Sequence, residues 1–338
     1  MKSGRNVLVL GAGAWGTALA LVLSRNPAND VWLWGRDPDA IAAMRRTRRN
    51  SRYLPDIELP ASLHLVDTNE LPATFDTVVA VVPFQTLRPV LRDLSTRIAP
   101  PNCIACACKG IENATFALAD EIVAAAFPDA AFAMLSGPNF AREVAEQRPA
   151  AITVATRDPA QGRELVRRLH SPSFRPYLSD DVIGVQIGGA IKNVIAIAAG
   201  ISDGLGLGSN SRAALITRGL AEITRFGVAR GGRRETFMGL SGLGDLVLTC
   251  TDDMSRNRRF GLSLAAGADP QRAIDETGLV EGATTALALA EFARRDGVEM
   301  PISYEVADTI SGRTTPRGAV DNLLARDPVA EFPGSGQD

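Results

Sequence analysis

Lysine is nearly missing from this chain. Its 338 residues contain three, Lys2, Lys109 and Lys192, against 33 arginines. Positive charge is thus carried almost entirely by a group that keeps its proton at any accessible pH. A lysine retained in an apolar setting is there for something arginine does not supply. Histidine is scarcer still, with His64 in "SLHLV" and His170 in "RRLHSPS". The first falls in a strand-like stretch and the second closes a surface helix, so neither reads as a proton-transfer group. Aromatic residues make up 5% of the chain, and the net charge is −2 with acids and bases interspersed. That combination offers neither the basic footprint nor the stacking platform of a nucleic-acid binder, and no nucleic-acid partner is expected.

Cysteine is also sparse: Cys103, Cys106 and Cys108 in "CIACACKG", plus Cys250. The CxxC spacing of Cys103 and Cys106 marks metal or redox chemistry in other settings. Here the alternation reads as a buried strand with small thiols as core filler, and no histidine lies near. No metal is expected, and a reducing cytoplasm is the consistent compartment. One long uncharged run stands near the start, the 19 residues "NVLVLGAGAWGTALALVLS" at 6–24. It superficially resembles a signal peptide, but three glycines interrupt it at structured spacing, and a strand-turn-helix accounts for all of it. No other stretch approaches the ~20 apolar residues of a membrane span, so no membrane insertion is expected.

The length fits two domains on a prior of roughly 150 residues each, and 46% hydrophobic with 22% charged residues describes a globular protein with a sizeable core. Strand-like runs occur at "NVLVL" (6–10), "VWLW" (31–34), "TVVAVV" (77–82), "CIACAC" (103–108), "AFAML" (131–135) and "AAITVA" (150–155). Helical stretches separate most of them, which argues for a parallel, doubly wound α/β sheet of Rossmann type. After about residue 180 the strand signals stop and long Ala/Leu/Ile-rich helical patterns take over. The expected division is a dinucleotide-binding domain at 1–180, an all-helical substrate and catalytic domain at 181–326, and a flexible Pro/Gly-rich tail at 327–338.

Gly11, Gly13 and Gly16 form GxGxxG after a strand and at the opening of a helix, the context that makes the pattern a dinucleotide fingerprint. The first glycine permits the tight turn, the second lets backbone approach the pyrophosphate, and the third allows close helix–strand packing. At the end of the second strand, where NAD enzymes place an acid on the ribose 2′-hydroxyl, the chain reads "WGRD". Arg36 suits a 2′-phosphate, which favours NADP(H). Asp37 would serve NAD(H), but it is also a good N-cap for the next helix.

With histidine set aside, Lys192 is the leading candidate for proton transfer. It is the only charged residue between Asp181 and Asp203. Burial lowers a lysine pKa by up to several units, each worth about 1.36 kcal/mol. Lys109, in "ACKGIE", directly follows a strand and so falls at the carboxyl edge of the sheet, where ligands bind. Asp245, in "GLSGLGDLVLTC", is a second lone charge in an apolar segment, and it would orient Lys192 and offset its charge. In "SRNRRFG", Ser255, Arg256 and Asn257 at a helix start make an anion site. Arg258 and Arg259 fit a solvated basic helix end.

Taken together, "GAGAWGTALA", "CKGIE", "LSGPNFAREVA", "GGAIKNVIAIAAGISDGLGLGSNSRAALITRGLAE", "GLGDLVLTCT" and "SRNRRFG" resemble the motifs of the bacterial NAD(P)-dependent glycerol-3-phosphate dehydrogenases, from about residue 6 to 320. The resemblance implies hydride transfer between sn-glycerol 3-phosphate and dihydroxyacetone phosphate, feeding phospholipid synthesis. It also implies a helical C-terminal domain like that of 6-phosphogluconate dehydrogenase, with the active site between the domains. It makes Lys192 the proton acceptor and Lys109 a contact of both substrate and cofactor. Gly137, Asn139, Asp245, Ser255, Arg256 and Asn257 fall at substrate-binding places, and Ala14, Trp15, Arg36, Ala141, Arg256, Leu279 and Glu281 at cofactor-binding places. The chain departs from the pattern at Asn139, usually Ser or Thr, at Phe84 and Gln85, where a small residue and His are common, and in "VEGATT", which lacks the usual aromatic. A small phosphorylated substrate and a homodimer are expected. Two rival readings are a related dehydrogenase for another hydroxy acid and a catalytically silent nucleotide sensor.

Overall fold

A computed structural model describes residues 5–328 and 331 of the chain. Most of the tail expected from 327 onward, and Lys2, lie outside the described residues. The first half supplies ten strands: β1 (Arg5–Leu10), β2 (Asn29–Trp34), β3 (Arg49–Asn50), β4 (Leu54–Glu58), β5 (His64–Val66), β6 (Thr77–Ala80), β7 (Cys103–Cys106), β8 (Ala131–Ser136), β9 (Ala150–Ala155) and β10 (Phe174–Ser179). Between them run α1 (Ala14–Ser24), α2 (Pro38–Thr47), α3 (Leu87–Leu94), α4 (Ala119–Ala126), α5 (Ala141–Ala145) and α6 (Pro159–Leu169). The second half is helical: α7 (Val182–Gly204), α8 (Gly208–Ala229), α9 (Arg234–Phe237), α10 (Asp245–Thr251), α11 (Arg256–Ala265), α12 (Pro270–Thr277), α13 (Glu281–Arg295), α14 (Pro301–Ile310) and α15 (Pro316–Leu324).

Eight strands form one sheet in the order β10-β9-β8-β7-β6-β1-β2-β5, while β3 and β4 make a separate hairpin. The expected all-parallel sheet needs one correction, because β8 and β9 pair antiparallel. The link between them contains only the five-residue α5, shorter than the helix that usually carries a parallel crossover. β10 then runs parallel to β9 at the sheet edge. It carries Pro176, a residue that a strand tolerates at an edge and that hides the strand from a propensity reading. Apolar clusters line the sheet on both faces: Val7, Leu19, Leu33 and Val79 belong to one, and Leu8, Leu10, Val78 and Leu91 to the other.

α7 is the axis of the helical half. It has the length and composition of a membrane span, contrary to the expectation that no second stretch does, yet 94% of its apolar window is buried inside the protein. Helices α8, α10, α11, α13 and α14 pack around it, and β8 abuts it. The four cysteines are buried and unbonded. Burial pushes the Cys103 thiol up to about 12, away from thiolate chemistry.

Candidate active site between the sheet edge and the central helix

The glycine turn after β1 is fixed by its own geometry. Gly11 has φ +119°, and a Cβ there would stand 2.8 Å from the Val81 carbonyl oxygen. A Cβ on Gly16 would lie 1.8 Å from the Gly11 oxygen, so this position must be bare for α1 to seat against the turn. Gly13 differs, because a Cβ there meets nothing within 4 Å. The requirement at Gly13 comes from open space over the turn, which suits a pyrophosphate at the start of α1. No side chain caps α1, so the first amides at Ala14 and Trp15 are left for a ligand. Buried Asn50 steadies the turn, its Nδ2 donating to Ala12 O at 2.9 Å and to Thr17 Oγ1 at 2.8 Å.

At the end of β2, Asp37 caps α2 by accepting from the amides of Asp39 and Ala40. Arg36 beside it is exposed, and among the described residues no ion pair engages it. Ala141 opens α5, which packs on α1.

Below this edge three charges converge. The Asp245 carboxylate accepts from Lys192 Nζ through Oδ1 and from Lys109 Nζ through Oδ2, each at 2.5 Å. Thr249, one turn after Asp245, accepts from Lys192 Nζ at 2.7 Å and donates to the Asp245 carbonyl at 2.6 Å. Lys192 is 7% exposed and Asp245 1%. Glycines allow this approach. A Cβ on Gly188 of α7 would lie 2.7 Å from Ser241 O, and one on Gly242 would lie 2.1 Å from Phe237 O. The tight turn Leu240–Gly244 therefore rests directly on α7 and delivers Asp245 to Lys192.

Burial lowers the Lys192 pKa to about 8, with Lys109 adding to the fall and Asp245 opposing it. For Asp245 burial alone would push upward, but the two ammonium groups prevail and hold it below its ordinary value. Two ammonium groups around one carboxylate leave an excess positive charge in a dry site, a setting that attracts a polarised oxygen.

The third part lies at the start of α11. Ser255 is its N-cap, its Oγ accepting from Arg258 N at 3.2 Å. The hydroxyl hydrogen remains free to donate. Arg256 is exposed. Asn257 donates to Asn193 Oδ1 at 2.9 Å and accepts from Gly282 N at 3.0 Å. Since Asn193 follows Lys192, the anion end and the lysine are tied by one side-chain contact.

Gly137 takes φ +156° beside the Ala151 carbonyl. Asn139 donates to that same carbonyl at 2.9 Å, and its Oδ1 is buried without a partner. Glu281 accepts from Phe84 N at 3.3 Å, and burial raises its pKa. Leu279 is 45% exposed and faces solvent at the rim. The two departures at 84 and 85 serve the Lys109 loop: the Phe84 ring packs on Gly110, and Gln85 bonds Ile111 O and Asn113 N.

Thr249, Asn193 and Asn50 escaped the sequence reading because each is an ordinary polar residue in an ordinary helical or loop context. The signal for Thr249 was its i+4 spacing from Asp245, which puts both on one helical face. Arg258 was misread. It is not a solvated helix end but 9% exposed and engaged with Asp203 and Asp253.

Comparison with known proteins finds relatives over nearly the whole chain. The family model described as the N-terminus of NAD-dependent glycerol-3-phosphate dehydrogenase matches residues 6–161, and the one described as its C-terminus matches residues 181–321. A glycerol-3-phosphate dehydrogenase (NAD(P)+) of Dechloromonas aromatica is 47% identical over 332 residues, covering 96% of this chain and 99% of the relative. One of Aromatoleum aromaticum is 49% identical over 330 residues, with the same coverage. The crystal structure of a glycerol-3-phosphate dehydrogenase from Coxiella burnetii superposes with a TM-score of 0.90 at 41% identity, covering 95% of this chain and 99% of that one.

Proposed function

This chain belongs to the NAD(P)-dependent glycerol-3-phosphate dehydrogenase family, and we propose how its residues divide the interconversion of dihydroxyacetone phosphate and glycerol 3-phosphate. Residues 1–180 hold the dinucleotide, and residues 181–326 carry the substrate and the proton-transfer group. Gly11, Gly13 and Gly16 would make room for the cofactor, the amides of Ala14 and Trp15 would bind its pyrophosphate, and Ala141, Leu279 and Glu281 would border it. Arg36 takes the 2′-phosphate of NADP(H). The support for that preference is that Arg36 is exposed at the end of β2, whereas Asp37 is committed to capping α2. The nicotinamide supplies or takes the hydride at C2 of the substrate.

The observation that carries the chemistry is the buried Lys192–Asp245–Lys109 cluster. Lys192 gives a proton to the C2 oxygen in reduction and takes it back in oxidation. A pKa of about 8 places it near the working pH, where an acid–base group is most effective. Asp245 and Thr249 use two of its three N–H directions and aim the third. Lys109 touches both substrate and cofactor from the sheet edge and shares the carboxylate, so Asp245 stays ionised. Ser255, Arg256 and the free amides of α11 take the phosphate, with Asn257, Gly137 and Asn139 shaping the wall between phosphate and C2. Anchoring the phosphate fixes the reacting carbon, a positioning effect worth several kcal/mol.

The test is Lys192→Arg, which keeps the charge and removes the titration. Loss of 340 nm absorbance on mixing NADPH with dihydroxyacetone phosphate should fall by a factor on the order of 10³ or more, while NADPH binding by fluorescence is retained. A loss smaller than about tenfold moves the proton-transfer role to another group.

A further inference from the structure

Arg258 stands next to the anion-binding residues but faces away from them. α11 crosses α7 at two glycines. A Cβ on Gly200 would lie 2.0 Å from Arg258 O, and one on Gly261 would lie 2.1 Å from Ile197 O. The two backbones therefore touch. Such a crossing sets the separation of the helices, and their register is fixed by side-chain ties, Asn257 to Asn193 near Lys192 and Arg258 to Asp203 at the far end.

Arg258 supplies the tie at the far end. Its Nε and Nη2 both donate to Asp203 Oδ2, at 3.0 and 2.7 Å, and its Nη1 pairs with Asp253. Asp203 sits on the last turn of α7 and is also held by Arg212 of α8 at 3.0 Å. The backbone amide of Arg258 meanwhile holds Ser255 Oγ. One residue thus joins the Ser255 hydroxyl to the far end of the helix that bears Lys192.

We propose that Arg258 is a positioning residue that, through Asp203, sets the reach from the phosphate-binding start of α11 to Lys192. It rests on the reading of Ser255–Asn257 as the phosphate site. A planar guanidinium that sets its N–H groups on two carboxylates at once holds a fixed geometry in a way that a single ammonium does not. Charge alone therefore does not substitute for it.

The experiment compares Arg258→Lys with Arg256→Ala and the unmodified enzyme. For Arg258→Lys the KM for dihydroxyacetone phosphate should rise about tenfold and kcat should fall several-fold, because an anchored substrate is misplaced relative to the lysine. The KM for NADPH and the Ki of inorganic phosphate should each stay within about twofold, since the groups that touch them remain on their own elements. Asp203→Asn cuts the same clamp from the other side and should give the same pattern, which decides the matter if Arg258→Lys does not fold. An unchanged KM for dihydroxyacetone phosphate in folded variants overturns the proposal. So does a fall in kcat alone that tracks a loss of folded protein in thermal melts. Arg256→Ala keeps the two readings apart: it should raise both the KM for dihydroxyacetone phosphate and the Ki of phosphate. If it raises neither, the phosphate site lies elsewhere, whatever Arg258→Lys does.

Discussion

Two helix N-termini in this protein are the proposed anion sites, and they are built by opposite means. At α1 the chain strips side chains away: Gly11, Gly13 and Gly16 let backbone come close, and no side chain caps the helix. At α11 the chain adds them: Ser255 caps, Arg256 projects, and Asn257 and Arg258 are bound into neighbouring helices. A bare turn suits a ligand gripped along its length by backbone amides. A furnished one suits a small ligand whose position must be fixed against a distant reacting group. A third N-terminus, that of α14, is closed by the protein itself. Glu222 accepts there from the amides of Ile302 at 2.6 Å and Ser303 at 3.2 Å.

The largest expected effect falls between the two anion sites, at Lys192→Arg as described, because neither site does the proton transfer. Next come the glycines of α1, which separate a demand of the fold from a demand of the ligand. Gly16→Ala should abolish soluble, folded protein, since its Cβ collides with Gly11 O. Gly13→Ala should leave the melting temperature within about 2 °C yet raise the KM for NADPH by roughly tenfold or more, by filling the space over the turn. A lowered melting temperature with unchanged KM would make Gly13 a fold requirement after all.

Arg36→Ala should raise the KM for NADPH about tenfold and leave that for NADH within twofold. Equal effects on both would remove the basis for the NADP(H) preference. The pH profile probes the cluster between the sites. The protonated fraction of Lys192 falls as pH rises through about 8, so kcat for reduction should decline above that pH. Oxidation needs the neutral amine and should rise through the same range to a plateau. Profiles with the same slope in both directions would exclude Lys192 as the titrating group.

The effect with the least bearing on turnover belongs to α14 and is one of stability. Burial raises the Glu222 pKa from its ordinary 4.5 to about 7, against the opposing pull of its hydrogen bonds. The folded state then holds a proton that the unfolded chain has lost, so stability falls as pH climbs from 4.5 to 7, by up to about 3 kcal/mol. Glu222→Gln should flatten that slope in denaturant titrations at pH 5 and pH 7. An equal slope in the variant would place the titration elsewhere.

The contrast between bare and furnished ends also explains what could be read without a structure. Gly11 and Gly16 announce themselves because only glycine meets their steric demands, Gly13 because a ligand over the turn would need the open space, and spacing alone reveals all three. Lys192 and Asp245 stand out because an isolated charge in an apolar segment needs a partner. Lys109 follows from its place after a strand. Thr249 is legible only by its i+4 spacing from Asp245, and Asn193 and Asn50 are not legible, since their roles exist only through partners far away in sequence. Arg258 was assigned to solvent for the same reason: nothing in "SRNRRFG" points to Asp203. In the sheet, Pro176 concealed β10, and the short α5 link reversed the direction of β9.

The burial of α7 has a consequence for how the molecule is made. As the chain leaves the ribosome, this helix emerges before α8, α10, α11, α13 and α14, the elements that cover it. For the time needed to synthesise roughly a hundred further residues, on the order of 5–20 s, a segment as apolar as a membrane anchor has only the sheet, through β8, to pack against. Lys192, the proposed proton-transfer residue, rides on that segment. Its cluster with Asp245 and Lys109 therefore forms only when α10 packs on α7, in the same step that begins to cover the segment, and a nascent molecule that leaves α7 bare of α10 lacks the cluster.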